Sequence, residues 1–117
     1  MLSTKTNLRI ARILNKAVGL ARRLVGRSQT AHVKRKGIEW LLDLNEGIDL
    51  AIYLHVYQSV PKRVRDRWIK PGSLVVDIGA NIGAFSLPIA NDVGEGGCVV
   101  AVEPTDYAYA KLWAMRP

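Results

Sequence analysis

The sequence predicts an α/β fold, with a parallel βαβα unit in its C-terminal part, and three observations carry that prediction. Leu74-Val75-Val76 is a continuous apolar run that ends in Asp77, and Cys98 to Val102 is a second such run with Glu103 at its carboxyl end. Between them, Gly79-Ala80-Asn81-Ile82-Gly83 makes a tight loop, after which Ile82, Phe85 and Ile89 keep helical spacing. Uninterrupted apolar runs without alternation suit strands covered on both faces, and a helical crossover makes such strands parallel.

Length and composition set the frame. At 117 residues the chain can form one modest domain, without room for a second substrate domain. Hydrophobic residues make up 49% and charged residues 23%, which excludes wholesale disorder. The net charge of +7 is unevenly placed: the first 38 residues hold ten Lys and Arg and no acid, while the rest carries more acids than bases. The basicity therefore belongs to an arm. A single cysteine, Cys98, excludes an internal disulfide framework and a cysteine-based metal cluster, and points to a reducing compartment. At the start of a predicted buried strand, Cys98 reads as a packing residue.

The arm comes first. From Lys5 to Arg27, apolar residues fall at Leu8, Ala11, Leu14, Val18, Ala21 and Val25, with Ile10, Ile13, Ala17, Leu20 and Leu24 widening the face. Arg9, Arg12, Lys16 and Arg23 line the opposite side of the resulting helix. Its longest uncharged run near the centre, Ala17 to Ala21, is too short for a spanning helix or a signal-peptide core. Three readings stand: a helix packed on the body or on another subunit with its basic side solvated, a helix lying on an anionic membrane surface through residues 5–27, or an organelle transit peptide. Nucleic acid is not expected, since the arm has no aromatic residue on which bases could stack. The setting that follows is cytoplasmic, peripheral to a membrane if the arm lies on one.

In the middle of the chain, His32 to Leu44 reads as two β-leaning runs around Lys36-Gly37, a hairpin signal, and Asn45-Glu46-Gly47 marks a turn. Ile48 to Tyr57 fits a buried helix or strand equally well. Pro61 to Ile69 reads as a short helix with Val64 and Trp68 on one side, closed by Lys70-Pro71-Gly72. His32 and His55 stand at no metal-ligand spacing with Asp, Glu or Cys and are read as structural, and no metal site is expected. Trp40, Trp68, Tyr53 and Tyr57 are read as packing residues.

The βαβα unit carries the chemistry. In an open parallel sheet a small ligand sits beyond the carboxyl ends of the strands, where Asp77, the glycine loop and Glu103 all fall. Gly79 and Gly83 let backbone approach a ligand, and the following helix offers N–H groups to an anion such as an amino-acid carboxylate. Glu103, with two acceptor oxygens, suits the paired hydroxyls of a ribose. Asp77 is placed to order the loop or to face a cation. Thr105 can cap the last helix, whose buried face is Ala108, Leu112 and Met115. Pro88, placed beyond the first turn of the helix after the loop, is expected to bend it or remove a backbone hydrogen bond.

Two cofactor classes use this architecture, and the loop distinguishes them. A nicotinamide fingerprint reads GxGxxG, whereas this loop reads DxGxNxG, with Asn81 where the middle glycine would stand. The stretch VVDIGANIGAFSLPIA followed by GGCVVAVEP, preceded by GIEWLLDLNEGID and KPGSLVVD, resembles the FkbM-type family of class I methyltransferases over roughly residues 30–115. The resemblance implies a Rossmann-like fold that binds S-adenosylmethionine, with Gly79, Asn81 and Gly83 around its methionine end and Glu103 on its ribose. Asp77 joins this set of cofactor-binding candidates.

It further implies methyl transfer to a sugar or other small-molecule hydroxyl. The family's later strands, which would carry the adenine wall and a general base, have no counterpart before Pro117, so an N-terminal and inactive fragment is expected and catalytic residues are unknown. The expected organisation is a helical arm over 1–29, a lead-in region of hairpin and short helices over 30–70, and the first half of the cofactor domain over 71–117. The alternatives are a nicotinamide-dependent oxidoreductase and a non-catalytic module binding membrane or protein.

Overall fold

A computed structural model of the chain describes residues 4–57 and 60–115; the side chains of 4–9 and of Ala11, and with them the expected places of Leu8, Arg9 and Ala11, lie outside the described residues. The elements run α1 (Thr4–Leu24), β1 (Thr30–Arg35), β2 (Ile38–Asp43), α2 (Gly47–Tyr53), α3 (Lys62–Trp68), β3 (Leu74–Ile78), α4 (Ser86–Val93), β4 (Cys98–Val102) and α5 (Asp106–Ala114). They divide into two compact units. Residues 1–33 with 42–57 make the first, and residues 34–41 with 58–117 the second.

The expected hairpin forms because Lys36 and Gly37 both take left-handed φ values, +49° and +83°, as a two-residue type I′ turn requires. It pairs β1 with β2. Along β2 the period is two: Ile38, Trp40 and Leu42 are buried while Glu39 is exposed.

In the first unit, Ala31, Leu42, Leu44, Leu50 and Ile52 form the core. The ambiguous stretch after Asn45 resolves as the helix α2, and the reason is polar as well as apolar. Asp49 is buried and its Oδ2 accepts the Asp43 N–H at 2.6 Å, so the first turn of the helix clamps the end of β2. Helix α1 joins this unit through polar contacts. Asn15 Nδ2 donates to the Leu44 carbonyl at 2.8 Å, and Arg22 donates to the carbonyls of Ser28 and Thr30 while lying 5.6 Å from the Tyr53 ring.

In the second unit β3 and β4 pair in parallel, with Leu74 opposite Cys98 and Ile78 opposite Val102. Both predicted strands thus form with the predicted limits and direction, and the unit is compatible with part of a Rossmann-like fold. Ile82, Leu87, Ile89 and Val93 are buried around α4, and Ala108 and Met115 around α5.

Several expectations need correction. The strands are covered on one face: Val75, Asp77, Val99 and Ala101 are half-buried, whereas Leu74, Val76, Ile78, Val100 and Val102 are exposed. Cys98 falls on the exposed side by the same alternation, so it is not a buried packing residue. Helix α3 forms at the expected place but buries nothing. Trp68 is exposed there, with the Arg67 guanidinium 5.1 Å from its ring. Phe85 is exposed, and α4 starts only at Ser86, which puts Pro88 in the first turn. The amides on either side of it, Leu87 and Ile89, donate to the Gly83 and Phe85 carbonyls at 2.9 and 3.2 Å, so the proline interrupts that i→i−4 series by the one N–H it lacks, in the first turn where its fixed φ is tolerated.

Candidate functional site

The loop after β3 alternates between two roles. Gly79, Asn81 and Gly83 have φ of +82°, +50° and +84°, while the residues between them, Ala80 and Ile82, are buried. This alternation lets two side chains plug the core and leaves Gly79 and Asn81 exposed at the rim. Asparagine is among the few non-glycine residues that accept the left-handed region readily, which is a local reason for Asn81.

The two loop glycines differ. A Cβ on Gly79 would meet nothing within 4 Å, so only its φ demands glycine and the space above it is open to a ligand. A Cβ on Gly83 would lie 2.5 Å from Leu112 Cδ1 and 3.0 Å from Leu87 Cγ. Gly83 is therefore buried between α4 and α5, with a packing reason for being glycine that spacing alone did not disclose.

The loop is fixed to the end of β4. The Gly79 and Ala80 N–H groups both donate to the Val102 carbonyl, at 2.8 and 3.0 Å. Glu103, half-buried, takes the Asn81 N–H on Oε2 at 2.8 Å and both the Thr105 N–H, at 2.9 Å, and the Thr105 hydroxyl on Oε1. The Thr105 hydroxyl, then the Thr105 amide and more weakly the Asn81 amide, hold the Glu103 carboxyl below its ordinary range. Thr105 does occupy the N-cap of α5, but its hydroxyl makes no bond to the helix and turns to Glu103 instead. Asp77 Oδ2 accepts the hydroxyl of Ser86 at 2.6 Å, which ties the strand end to the first residue of α4. Of the two readings for Asp77, loop ordering is the contact observed.

The structure thus brings Glu103 and Asn81 into direct contact at the rim, sets Gly79 beside open space, and buries Gly83. Ser86 and Thr105 were not singled out as partners of the two acids. The one available signal was a hydroxyl two residues after Glu103 and another at the start of the helix.

The carboxylate can still receive a ligand. Two oxygens offer about four lone-pair positions, and three donors are already engaged, so Oε2 keeps a free acceptor position. One sugar hydroxyl fits without rearrangement; a second requires the Thr105 hydroxyl to rotate away. With the open space over Gly79, the rim thus offers a ligand one carboxylate acceptor and room beside the loop backbone. Among the described residues no group of three His, Cys, Asp or Glu side chains converges.

Among known proteins, no protein-family model matches the chain and no solved structure matches it. Over 42 residues, 36% of its length, the chain is 45% identical to the ribosomal RNA large subunit methyltransferase E of Xanthomonas oryzae pv. oryzae (strain PXO99A). The same values hold for that of Xanthomonas euvesicatoria pv. vesicatoria (strain 85-10). The match spans 20% of each of these relatives, so the chain covers about a fifth of their length. This likeness supports a methyltransferase in general, with S-adenosylmethionine implied as methyl donor, and it does not extend to the FkbM type or to an acceptor.

Proposed function

We propose that residues 71–117 bind S-adenosylmethionine and belong to a methyltransferase of the FkbM type that acts on a sugar or other small-molecule hydroxyl. The observation that carries the reading is the Glu103 carboxylate, held at the carboxyl end of β4 by the Asn81 and Thr105 donors with one acceptor position still free. Bound S-adenosylmethionine supplies a methyl group already activated on a sulfonium sulfur. The residues here bind and orient. Glu103 accepts a ribose hydroxyl, Gly79 leaves room for the amino-acid end, and Asp77 with Ser86 keeps the loop anchored to α4. Such alignment is the main demand of a displacement at an activated carbon. No general base is assigned.

The oxidoreductase alternative makes a different demand, a third glycine where Asn81 stands. Nuclear magnetic resonance on the labelled chain separates the two even when affinity is low. S-adenosylmethionine or its demethylated product should shift the amide signals of Gly79, Asn81 and Thr105, and the shifts should be lost in Glu103→Ala. Shifts produced by a nicotinamide dinucleotide and not by S-adenosylmethionine would overturn the assignment. In a longer chain that transfers methyl groups, offering sugar hydroxyls beside ribosomal RNA decides the acceptor.

A further inference from the structure

Helix α1 meets its own unit through the side that an amphipathic helix ordinarily leaves in water. Asn15, Val18, Gly19 and Arg22 follow one stripe at helical spacing and are half-buried. Along that stripe Asn15 donates to the Leu44 carbonyl at 2.8 Å, the Gly19 carbonyl accepts Gln29 Nε2 at 3.2 Å, and Arg22 Nη1 donates to the Tyr53 hydroxyl at 3.3 Å.

The apolar strip faces the other way. Ile10, Ile13, Leu20 and Leu24 are 42%, 66%, 60% and 78% exposed, with Leu14, Ala17 and Ala21 exposed between them. Arg12, Lys16 and Arg23, also exposed, run along one border of that strip. Within the same unit Ile13 and Leu14 also line an apolar groove of about 520 Å³ with Leu50, Ala51, Leu54 and Val56, so the apolar surface continues from α1 to α2. Within its own unit α1 thus packs the polar stripe and not the apolar strip.

We infer that α1 docks on an anionic lipid bilayer, its aliphatic strip entering the headgroup–acyl boundary and its cations at headgroup level. The inference is independent of the methyl-transfer reading. Charge complementarity selects this partner: ten Lys and Arg with no acid occupy the first 38 residues. A nucleic acid would engage the cations alone and leave the strip in water, and no aromatic residue precedes Trp40 to stack on a base. The helix lies on the surface. No helix among the described residues is long and apolar enough to cross a membrane, and 21 residues extend roughly 30 Å along the interface.

The test is flotation of the full chain with vesicles of phosphatidylcholine alone or mixed with phosphatidylglycerol, which separates binding from aggregation. The expected result is flotation with the anionic vesicles, weakened by salt. Leu20→Gln with Leu24→Gln should weaken it on the order of tenfold for each leucine. Lys16→Gln with Arg23→Gln should weaken it about fivefold for each cation and should narrow the difference between the two vesicle types. All four positions are exposed, and far-ultraviolet circular dichroism checks that α1 persists. Undiminished flotation of the double leucine variant would overturn the inference, as would equal binding to neutral vesicles. So would a chain that ignores both vesicle types and forms a complex with RNA or with a protein through the same residues.

Discussion

Glu103 commits its carboxylate to the protein's own donors before any ligand arrives, and that arrangement has a pH signature. Its carboxyl is held below the ordinary range, chiefly by the Thr105 hydroxyl and amide, so the folded loop favours the charged form. The contribution is therefore complete above the pKa of a free Glu, about 4.3, and is lost as pH falls through the lowered folded value. The Asn81 amide signal should accordingly stay constant around neutrality and move only in acid. Glu103→Gln keeps one acceptor oxygen and so cannot hold the Asn81 and Thr105 amides at once as the carboxylate does; it should shift the Asn81 or the Thr105 amide signal at neutral pH, with several-fold faster exchange of that amide. The glycines give a second prediction. Gly83→Ala should cost about 2–4 kcal/mol, since left-handed strain adds to a Cβ 2.5 Å from Leu112. Gly79→Ala should cost only about 1–2 kcal/mol, from strain alone. Thermal melts of the two variants make the comparison. Both acids and the loop were legible in the sequence, because their places at strand ends follow from the apolar runs. Their partners Ser86 and Thr105 were not: the Ser86 bond spans a loop with three left-handed residues that no periodicity encodes, and the Thr105 hydroxyl could as well have capped α5 as turned to Glu103.

Among the elements, the hairpin and both parallel strands were legible because each has an unambiguous local signal: a turn dipeptide or an apolar run between turn residues. Residues 48–57 carried no such signal, and the buried Asp49 bond to the Asp43 amide, a contact between elements, accompanies the folding of Gly47–Tyr53 as helix. Helix α4 shows how a boundary error changes a residue's meaning. With the start at Ser86, Pro88 stands in the first turn, between the Leu87 and Ile89 amides that bond to Gly83 and Phe85, so Pro88→Ala should stabilise, but by less than the roughly 3 kcal/mol that a proline well inside a helix costs relative to alanine. Denaturant melts of the variant check this. The hairpin offers the reverse case. Lys36 holds a left-handed φ of +49° without the side chain that best suits it, so Lys36→Asn should stabilise by about 0.5–1 kcal/mol. A lowered denaturation midpoint would count against the type I′ reading.

For the molecule as a whole, hydropathy disclosed what the parallel strands are suited to, burial on both sides, but not what covers them. One side of the β3–β4 sheet is half-buried, and the other exposes a row of aliphatic residues, Ile78 at 84% and Leu74 at 70% among them. Exposed aliphatic strand surface of this kind associates. Sedimentation velocity on the chain should therefore show self-association that decreases in Val76→Thr with Ile78→Thr, while the melting temperature changes little because neither side chain is buried. The only sulfhydryl of the chain, on Cys98, opens onto that same row, in register with Leu74. It is thus a built-in footprinting label: a maleimide should react with it freely in dilute solution, and any body that comes to rest on the sheet should announce itself as a slowed alkylation rate.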